Sequence, residues 1–470
     1  MPRKFNTDSS SDIVDPTLTV VSSNTCRNRK LKCDEAYPIC SRCLANRRHC
    51  DRSERPPRQQ SVAVDHYEAA GMCRFIALAK RLSADRRSDD SPRRALESSR
   101  IAGLFRHYIS NVSEWYDLSD TRCHFSQQLP ILALDNILLF KAILALAAIH
   151  ISQTSSPSVR SMAEKYHGQC IRLLINLDVK DPSIKNGVAL ATTCLLRSYE
   201  ILSEDRDPNR HLQGAFSLAS ELRTISSSAP EQLLWSGFWN YLREDITFSL
   251  FTDCRLKIEL DAIDNTPSPL TDRDQLNEIS LILGQIINAT VGDAVRDTDC
   301  DLWESLLASL ERWQANLPRH IAPFSRAPVA TLSRLPTVQM LADCHAAAYH
   351  YYLVSLAMLA TCAPSPARFE DLKSVSSRMG MVVDGIVGGE DLLENIASEI
   401  CGVAFTSNEP SVLVNAFGPI AFCAKNIRQE ATQQEVLSHL SASRKTTGWP
   451  TDRMVSDLKR HWASYKSGST

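Results

Sequence analysis

The sequence predicts an all-α protein in two unequal parts, a small N-terminal module organised around metal ions and a large domain of many helices. Five of the fifteen cysteines fall within residues 26–50, a segment too short to bury a hydrophobic core. From about residue 95 to the end of the chain, apolar residues recur at intervals of three and four. No segment shows the sustained alternation of apolar and polar residues that is typical of strands.

The clustered cysteines follow the spacing C-x6-C-x6-C-x2-C-x6-C, at Cys26, Cys33, Cys40, Cys43 and Cys50. Thiolates this close together bind zinc and supply the folding free energy that a hydrophobic core would otherwise provide. Basic residues lie between the cysteines, which gives the module a cationic face suited to phosphate groups and to guanine edges. The segment therefore predicts a zinc module that binds DNA.

This segment resembles the fungal zinc binuclear-cluster transcription factors, in which six cysteines hold two zinc ions in the pattern C-x2-C-x6-C-x5–12-C-x2-C-x6–8-C. The five cysteines match the second to sixth positions, and Ser23 stands at the first. The resemblance implies two zinc ions, bridged at the positions of Ser23 and Cys40. Each zinc would then keep three cysteines, namely Cys26, Cys33 and Cys40 for one ion and Cys40, Cys43 and Cys50 for the other. A serine hydroxyl stays protonated near neutral pH and is a harder ligand than thiolate, so Ser23 puts the zinc occupancy in question.

Three explanations for Ser23 are open. Water or a nearby side chain (Ser23, Asp34 or His49) completes a weakened site. Alternatively, the cluster is degenerate and binds neither metal nor DNA. In the third explanation an exon boundary before Thr25 is wrongly assigned and the natural chain carries the cysteine. Residues 1–24 lack the basic lead-in usual for the family, which favours the third.

The basic residues of the module predict its contacts with DNA. Arg27, Arg29, Lys30 and Lys32 lie between Cys26 and Cys33, where the resemblance implies a recognition helix. By that resemblance Lys30 reads a CGG-type triplet in the major groove, while its basic neighbours contact phosphate. Arg42 extends the same patch. A solvated charged face is the plain alternative, and a nuclear-import signal is compatible with DNA binding.

Composition predicts an intracellular regulator that reaches DNA through a local patch. The net charge is −2 over 470 residues, and the positive charge is concentrated in residues 27–58. The ten cysteines outside the cluster are scattered, as expected for buried thiols in a reducing compartment. Residues 129–151 are very apolar, but polar and charged residues interrupt them well short of the ~20 residues that span a bilayer. We therefore expect a buried helix there and no association with membranes.

The chain divides into four predicted regions. Residues 1–25 are a disordered N-terminus, residues 26–50 are the zinc module, and residues 51–94 are a basic linker with a short helix. Residues 95–470 form the helical domain, with apolar stripes that include Leu302, Leu306, Leu310, Trp313 and Leu317, and Val338, Leu341, His345, Tyr349, Tyr352, Leu356 and Leu359. The linker shows barely two heptads, too few to predict a zipper, although the family resemblance makes a homodimer possible.

The helical region resembles the fungal-specific transcription factor domain through short phrases that follow one another in order. They are residues 104–108, 115–118, 142–150, 166–174, 210–215, 238–246, 400–404, 413–420 and 447–450. This resemblance implies a regulatory domain on which an effector or a co-regulator would act. The adjacent Arg243, Glu244 and Asp245 are predicted to form an ion-paired helix surface, and an effector pocket is the alternative.

We predict a nuclear, sequence-specific regulator of transcription that binds double-stranded DNA through its zinc module. The alternative is a regulator whose degenerate cluster no longer binds DNA and which acts by binding proteins or small molecules. A helical enzyme is the third possibility, but the sequence has none of the common catalytic motifs, and we predict that the chain is not an enzyme. His345 and His350 lie five residues apart and do not share a helix face.

Overall fold

The computed structural model describes residues 91–178, 180–203, 209–220, 232–260, 271–291, 300–327, 333–365, 368–383 and 385–468. All of them belong to one compact unit, Arg87–Thr470. The predicted disordered N-terminus, the zinc module and nearly all of the basic linker lie outside the described residues.

The described residues are almost entirely helical, which confirms the predicted all-α class. The first eight α-helices are α1 (Pro92–Ala95), α2 (Ser99–Asn111), α3 (Leu129–Ala133), α4 (Ile137–Thr154), α5 (Arg160–Ile175), α6 (Pro182–Lys185), α7 (Val188–Ser203) and α8 (Arg210–Ser220). Short turns of 3-10 helix lie at Ser113–Tyr116 and Pro157–Val159, and a π-helical turn lies at His124–Gln128.

The rest of the described chain adds nine more helices. They are α9 (Gln232–Thr252), α10 (Asp272–Thr290), α11 (Cys300–Asn316), α12 (Asp343–Thr361), α13 (Arg368–Arg378), α14 (Gly389–Ser407), α15 (Pro410–Cys423), α16 (Glu430–Thr447) and α17 (Thr451–Gly468). Turns of 3-10 helix occur at Arg319–Ile321 and Ala424–Asn426. Two short strands, β1 (Ser325–Ala327) and β2 (Thr337–Gln339), pair antiparallel with Arg326 opposite Val338.

Several helices begin and end at residues whose chemistry explains the boundary. The Asn136 side chain accepts hydrogen bonds from the backbone N–H groups of Leu138 (3.0 Å) and Leu139 (3.1 Å), which caps α4. Thr271 and Asp274 form a capping box at the start of α10. Gly448, with φ of +68°, adopts the left-handed conformation that ends α16.

Helix α4 is the apolar segment that the sequence predicts as a core helix. By length and composition it could cross a membrane, but most of it is buried within the helical domain. It packs against α2, α5, α7 and α16, and its residues 138–150 are all buried. The prediction of a buried helix is therefore confirmed.

A second centre of the core lies on α12. Residues 344–360 of this helix are buried, since it packs against α10, α14 and α15. The C-terminal helices α16 and α17 complete the domain, with Trp449, Met454, Leu458 and Trp462 at 6% exposure or less. The Trp462 Nε1–H donates a hydrogen bond of 3.1 Å to the carbonyl oxygen of Ala424.

Two predicted apolar stripes need correction at their ends. Leu302 is 43% exposed and Leu341 is 60% exposed, so neither faces the core. On α11 the buried face is centred on Trp303 instead, whose indole N–H donates to the carbonyl oxygen of Leu359 at 3.0 Å. Val338 lies in β2 and not in the helix that follows it, because α12 begins only at Asp343.

Candidate functional site

The ten residues predicted for the zinc module and its DNA contacts lie outside the described residues. They are Cys26, Arg27, Arg29, Lys30, Lys32, Cys33, Cys40, Arg42, Cys43 and Cys50. The candidate site that the structure describes therefore lies in the helical domain.

Buried charges in the middle of the helical domain form its candidate site. Arg243 and Asp245 on α9 are 3% and 0% exposed, so the prediction of an ion-paired helix surface is wrong for both. The reason is that α9 packs on several sides, against α7, α8, α10 and α15. Charges on such a helix are removed from water and need partners within the protein.

Arg243 has neutral hydrogen-bond partners. Its Nη1 donates to the Ser119 hydroxyl at 2.6 Å, and its Nη2 donates to Oδ1 of Asn240 at 3.0 Å. Within the described part of the chain, no carboxylate forms an ion pair with this guanidinium. Burial lowers the pKa of Arg243 from its ordinary value, although nearby charged groups oppose that shift.

Asp245 holds the end of α9 to the segment that follows it. Its Oδ2 accepts hydrogen bonds from the Tyr241 hydroxyl (3.1 Å) and from the backbone N–H groups of Lys257 (2.8 Å) and Ile258 (3.3 Å). Burial raises the pKa of Asp245 above its ordinary value, and these hydrogen bonds oppose the rise. Structural contacts thus occupy Oδ2 of Asp245, while its Oδ1 is buried without a hydrogen-bond partner among the described residues.

A chain of buried ion pairs runs beside Arg243. Arg197 on α7 lies 3.4 Å from Oε2 of Glu244 and 3.5 Å from Oε2 of Glu200. The side chains of Arg197 and Glu200 are only 3% and 1% exposed. Glu244 is therefore balanced by Arg197, which leaves Arg243 as the buried charge with only neutral hydrogen-bond partners in this cluster.

A small cavity of about 20 Å³ opens beside Arg243, which is room for about one water molecule. Its lining comes from the turn Ser113–Tyr116, α7, α9, α15 and the loop before α17, and includes Trp115, Ser198, Arg243, Glu244, Asn415 and Trp449. The Tyr116 hydroxyl donates to the Ser198 hydroxyl at 2.7 Å. The Trp115 Nε1–H is buried and has no acceptor among the described residues.

The cavity combines two features that sequence reasoning did not find. The guanidinium of Arg243, whose hydrogen-bond partners are neutral, and an indole N–H without an acceptor both belong to its wall, together with the carboxylate of Glu244. Trp115 lies in a phrase of the family resemblance and Arg243 lies within another, but the phrases do not say that the two line one cavity. That arrangement depends on the packing of α9 beside the turn Ser113–Tyr116, where the Asn240 amide donates to the carbonyl oxygen of Tyr116 at 2.9 Å.

Two protein families match parts of this chain. The fungal Zn(2)-Cys(6) binuclear cluster domain matches residues 23–60, and the fungal specific transcription factor domain matches residues 103–241. No curated protein and no solved structure matches the chain. The two matched domains, in this order, define a regulator of transcription. Over residues 23–60 and 103–241 the chain is thus similar to the fungal zinc binuclear-cluster transcription factors that carry a fungal-specific transcription factor domain.

The match to the Zn(2)-Cys(6) domain implies two zinc ions as the cofactor of this protein. The donor set fits zinc, because five cysteines stand at family positions and thiolates are preferred zinc ligands. The match begins at residue 23, the position of the serine that replaces the first cysteine. In the helical domain, the second match extends from α2 to the middle of α9.

Proposed function

We propose that this protein is a nuclear, sequence-specific DNA-binding regulator whose zinc cluster reads CGG-type triplets in the major groove, and that it is not an enzyme. The observation that carries the proposal is the spacing of the five cysteines within the segment that matches the Zn(2)-Cys(6) domain. Cys26, Cys33, Cys40, Cys43 and Cys50 hold the zinc ions. Bound zinc supplies the folding free energy of a module that has no hydrophobic core.

Base readout and phosphate binding are assigned to different side chains. Lys30 contacts the bases, as its counterpart in the family does, while Arg27, Arg29, Lys32 and Arg42 bind the phosphates that fix the register. A lysine that donates to guanine O6 and N7 discriminates between base pairs, whereas a phosphate contact is the same at every sequence.

Binding-site selection with the full chain tests the base readout. Lys30→Ala should cost about 1–3 kcal/mol at the preferred site and flatten the preference for CGG-type triplets. Arg29→Ala should weaken binding to all sequences alike and reduce the salt slope by about one. Lys459→Ala removes an exposed charge from α17 and serves as the matched control. Selection without triplet enrichment, and equal binding by wild type and Lys30→Ala, would contradict the proposal.

The alternative proposal is a regulator with a degenerate cluster that does not bind DNA directly. The observation that favours it is Ser23, because losing a bridging thiolate weakens the hold on both zinc ions. Elemental analysis of the full chain distinguishes the two proposals. Up to two zinc ions in the wild type, with affinity raised about tenfold or more by Ser23→Cys, supports the DNA-binding regulator. Absence of zinc from both proteins supports the alternative.

We also infer that the helical domain receives a small anionic effector at the cavity beside Arg243. The guanidinium of Arg243 and the Trp115 N–H offer donors to an anionic group, and Arg197 balances the Glu244 carboxylate that lines the same cavity. Because the cavity holds about one water molecule, a carboxylate or phosphate enters only when a lining side chain such as Trp449 moves.

The family resemblance also predicts that this protein can form a homodimer, and this stays a prediction.

Thermal shifts of the full chain test this effector site, with acetate, malonate and inorganic phosphate as probes. At least one anion should raise the melting temperature of the wild type, because ligands that bind the folded state stabilise it. The shift should be lost in Arg243→Met and reduced in Trp115→Phe, which keeps the ring but removes the donor. The inference fails if no probe stabilises the wild type, or if Trp115→Phe and Arg243→Met respond as the wild type does.

A further inference from the structure

Three side chains that lie far apart in the sequence meet at one corner of the helical domain. Asp272 is the first residue of α10, His320 is the middle residue of the turn Arg319–Ile321, and His345 lies in the first turn of α12. Their potential ligand atoms, one carboxylate oxygen and one ring nitrogen from each histidine, all lie within 4.8 Å of one another. No catalytic or family motif contains this group.

The two histidine side chains converge on the carboxylate of Asp272. The Nε2 atom of His320 lies 2.9 Å from each carboxylate oxygen of Asp272. The Nε2 atom of His345 lies 2.9 Å from Oδ2 of the same carboxylate. The ring centroids of the two histidines are 5.7 Å apart, so both rings approach the carboxylate without stacking on each other.

The elements around the site hold these side chains in place. Helices α10 and α12 pack against each other along their length, and the buried ring of His345 is only 3% exposed. The α10 cap is formed by Thr271 and Asp274, so the Asp272 carboxylate takes no part in the capping box. The neighbouring Arg273 is directed elsewhere, since its Nη1 donates to the carbonyl oxygen of Asp117 at 2.9 Å.

We propose that Asp272, His320 and His345 form a binding site for one divalent first-row metal ion, with Zn²⁺ as its test ligand. Two imidazole nitrogens and one carboxylate are a donor set that suits zinc and its neighbours in the series. The two separations between a histidine nitrogen and the carboxylate are 2.9 Å, and all the ligand atoms lie within 4.8 Å of one another. This range includes the separation of roughly 3.3 Å that bonds of about 2.0 Å give in a tetrahedral zinc site.

The site is open on one side. The side chains of His320 and Asp272 are 51% and 39% exposed, so an ion can enter from solvent and keep water as a further ligand. Three protein ligands and an open position describe an accessible metal site rather than a closed structural one. Binding would tie the turn Arg319–Ile321 to the α10–α12 pair.

The environment of His345 sets the expected affinity. When Nε2 binds a metal, the proton of a neutral imidazole sits on Nδ1, and Nδ1 of His345 is buried without a partner among the described residues. An outer hydrogen-bond partner typically contributes 10–100-fold to metal affinity. We therefore expect a dissociation constant in about the micromolar range, weaker than sites that have such a partner.

Zinc titration of the full chain tests this site after the N-terminal cysteines have been saturated with zinc. The wild type should bind one further Zn²⁺, and both His320→Ala and Asp272→Asn should bind it at least about tenfold more weakly. His439→Ala is the matched control, because this half-exposed ring lies 4.0 Å from a carboxylate oxygen of Glu435 outside the site. The added ion should also raise the melting temperature of the helical domain in the wild type and in His439→Ala only.

A Cys33→Ser variant separates this site from the N-terminal cluster. It should lose zinc from the cluster while it keeps the additional Zn²⁺ at Asp272, His320 and His345. The side chains of His320 and Asp272 are partly exposed, so both variants should fold, and circular dichroism checks that they do. One folded variant is enough for the test. The proposal is overturned if the wild type binds no zinc beyond its cluster, or if a folded variant binds the additional ion as tightly as the wild type.

Discussion

Glu200 on α7 accepts two hydrogen bonds from Arg210, one from its backbone nitrogen at 3.2 Å and one from Nε at 3.1 Å. The other carboxylate oxygen accepts the backbone N–H of His211 at 3.1 Å. The first turn of α8 is therefore capped by a carboxylate from a different helix. This arrangement satisfies N–H groups that have no partner within α8 and places a negative charge at its positive end.

Replacing Glu200 should therefore destabilise the domain strongly. We expect Glu200→Ala to lower the free energy of unfolding by about 3 kcal/mol, because buried Arg197 keeps only Glu244 as a partner and the first turn of α8 loses its acceptor. Urea unfolding followed by circular dichroism measures this loss. Glu164→Ala removes an exposed carboxylate 3.2 Å from Arg160 and should cost at most about 1 kcal/mol. Equal losses for the two variants would contradict this account.

A glycine on α14 allows the helix to approach the chain before β2. A Cβ at Gly402 would overlap the carbonyl oxygen of Pro336, which belongs to the backbone and cannot rotate away. Gly402→Ala should therefore lower the free energy of unfolding by about 1–3 kcal/mol. Gly168→Ala on α5 is the control, because nothing lies within 4 Å of the added methyl group. Its higher helix propensity should stabilise the protein by about 0.5–1 kcal/mol.

Three buried histidines and the partly buried His167 should make the stability of the domain fall in mild acid. Burial lowers the pKa of His150 and His350 to about 4 and that of His167 and His211 to about 3. The unfolded side chain titrates near 6.5, so from about pH 6.5 down to 4 the unfolded chain binds protons that the folded chain does not. Stability is then complete above pH 6.5 and falls by about 2 kcal/mol for each histidine between pH 7 and 5.

Urea unfolding at a series of pH values measures this dependence. His350→Gln keeps a donor for the carbonyl oxygen of Ile400, which lies 3.2 Å from the histidine Nε2, but removes the titration. The variant should lose less stability than the wild type between pH 7 and 5, by about one histidine's share. A wild type whose stability is constant over this range would show that these histidines do not remain neutral in the folded state.

Removing α17 and the loop before it should destabilise the whole domain and not only shorten a tail. A chain that ends at residue 445 lacks Trp449, Met454, Leu458 and Trp462, all of which are buried. Each large apolar side chain removed from a core costs about 2–5 kcal/mol, a large share of the net stability of a domain. We expect this shortened chain to express poorly or to lose its cooperative melt. A melting temperature equal to that of the full chain would show that the C-terminal helices are peripheral.

The apolar parts of the fold were accessible from the sequence because hydrophobic periodicity reports one face of a helix. The helix through residues 142–150 and the C-terminal stripe from Met454 to Trp462 are buried as predicted. The same periodicity failed at Leu302 and Leu341, since it cannot say where a helix begins or which of two adjacent apolar residues faces the core. The periodicity also places Val338 in the apolar stripe of α12, whereas Val338 lies in strand β2 before that helix begins.

The two polar sites, the cavity beside Arg243 and the group around Asp272, could not be predicted from the sequence in this way. Arg243 looks like a surface residue in the sequence, because a run of three charges is usually solvated, and its burial depends on four helices that pack on α9. Asp272, His320 and His345 are separated by 48 and 25 residues, so no local pattern connects them. The packing of α10 against α12 brings Asp272 to His345, and the turn Arg319–Ile321 adds His320.

The cavity beside Arg243 is lined by residues from inside and outside the segment that matches the fungal specific transcription factor domain. The matched segment ends at residue 241, in the middle of α9, while Asn415 and Trp449 close the cavity from well beyond that point. Helix α4, near the centre of the matched segment, likewise packs against α16. A fragment cut at the family boundary would sever one helix and expose the apolar faces of others to water. The segment that matches the family is thus smaller than the compact unit that folds.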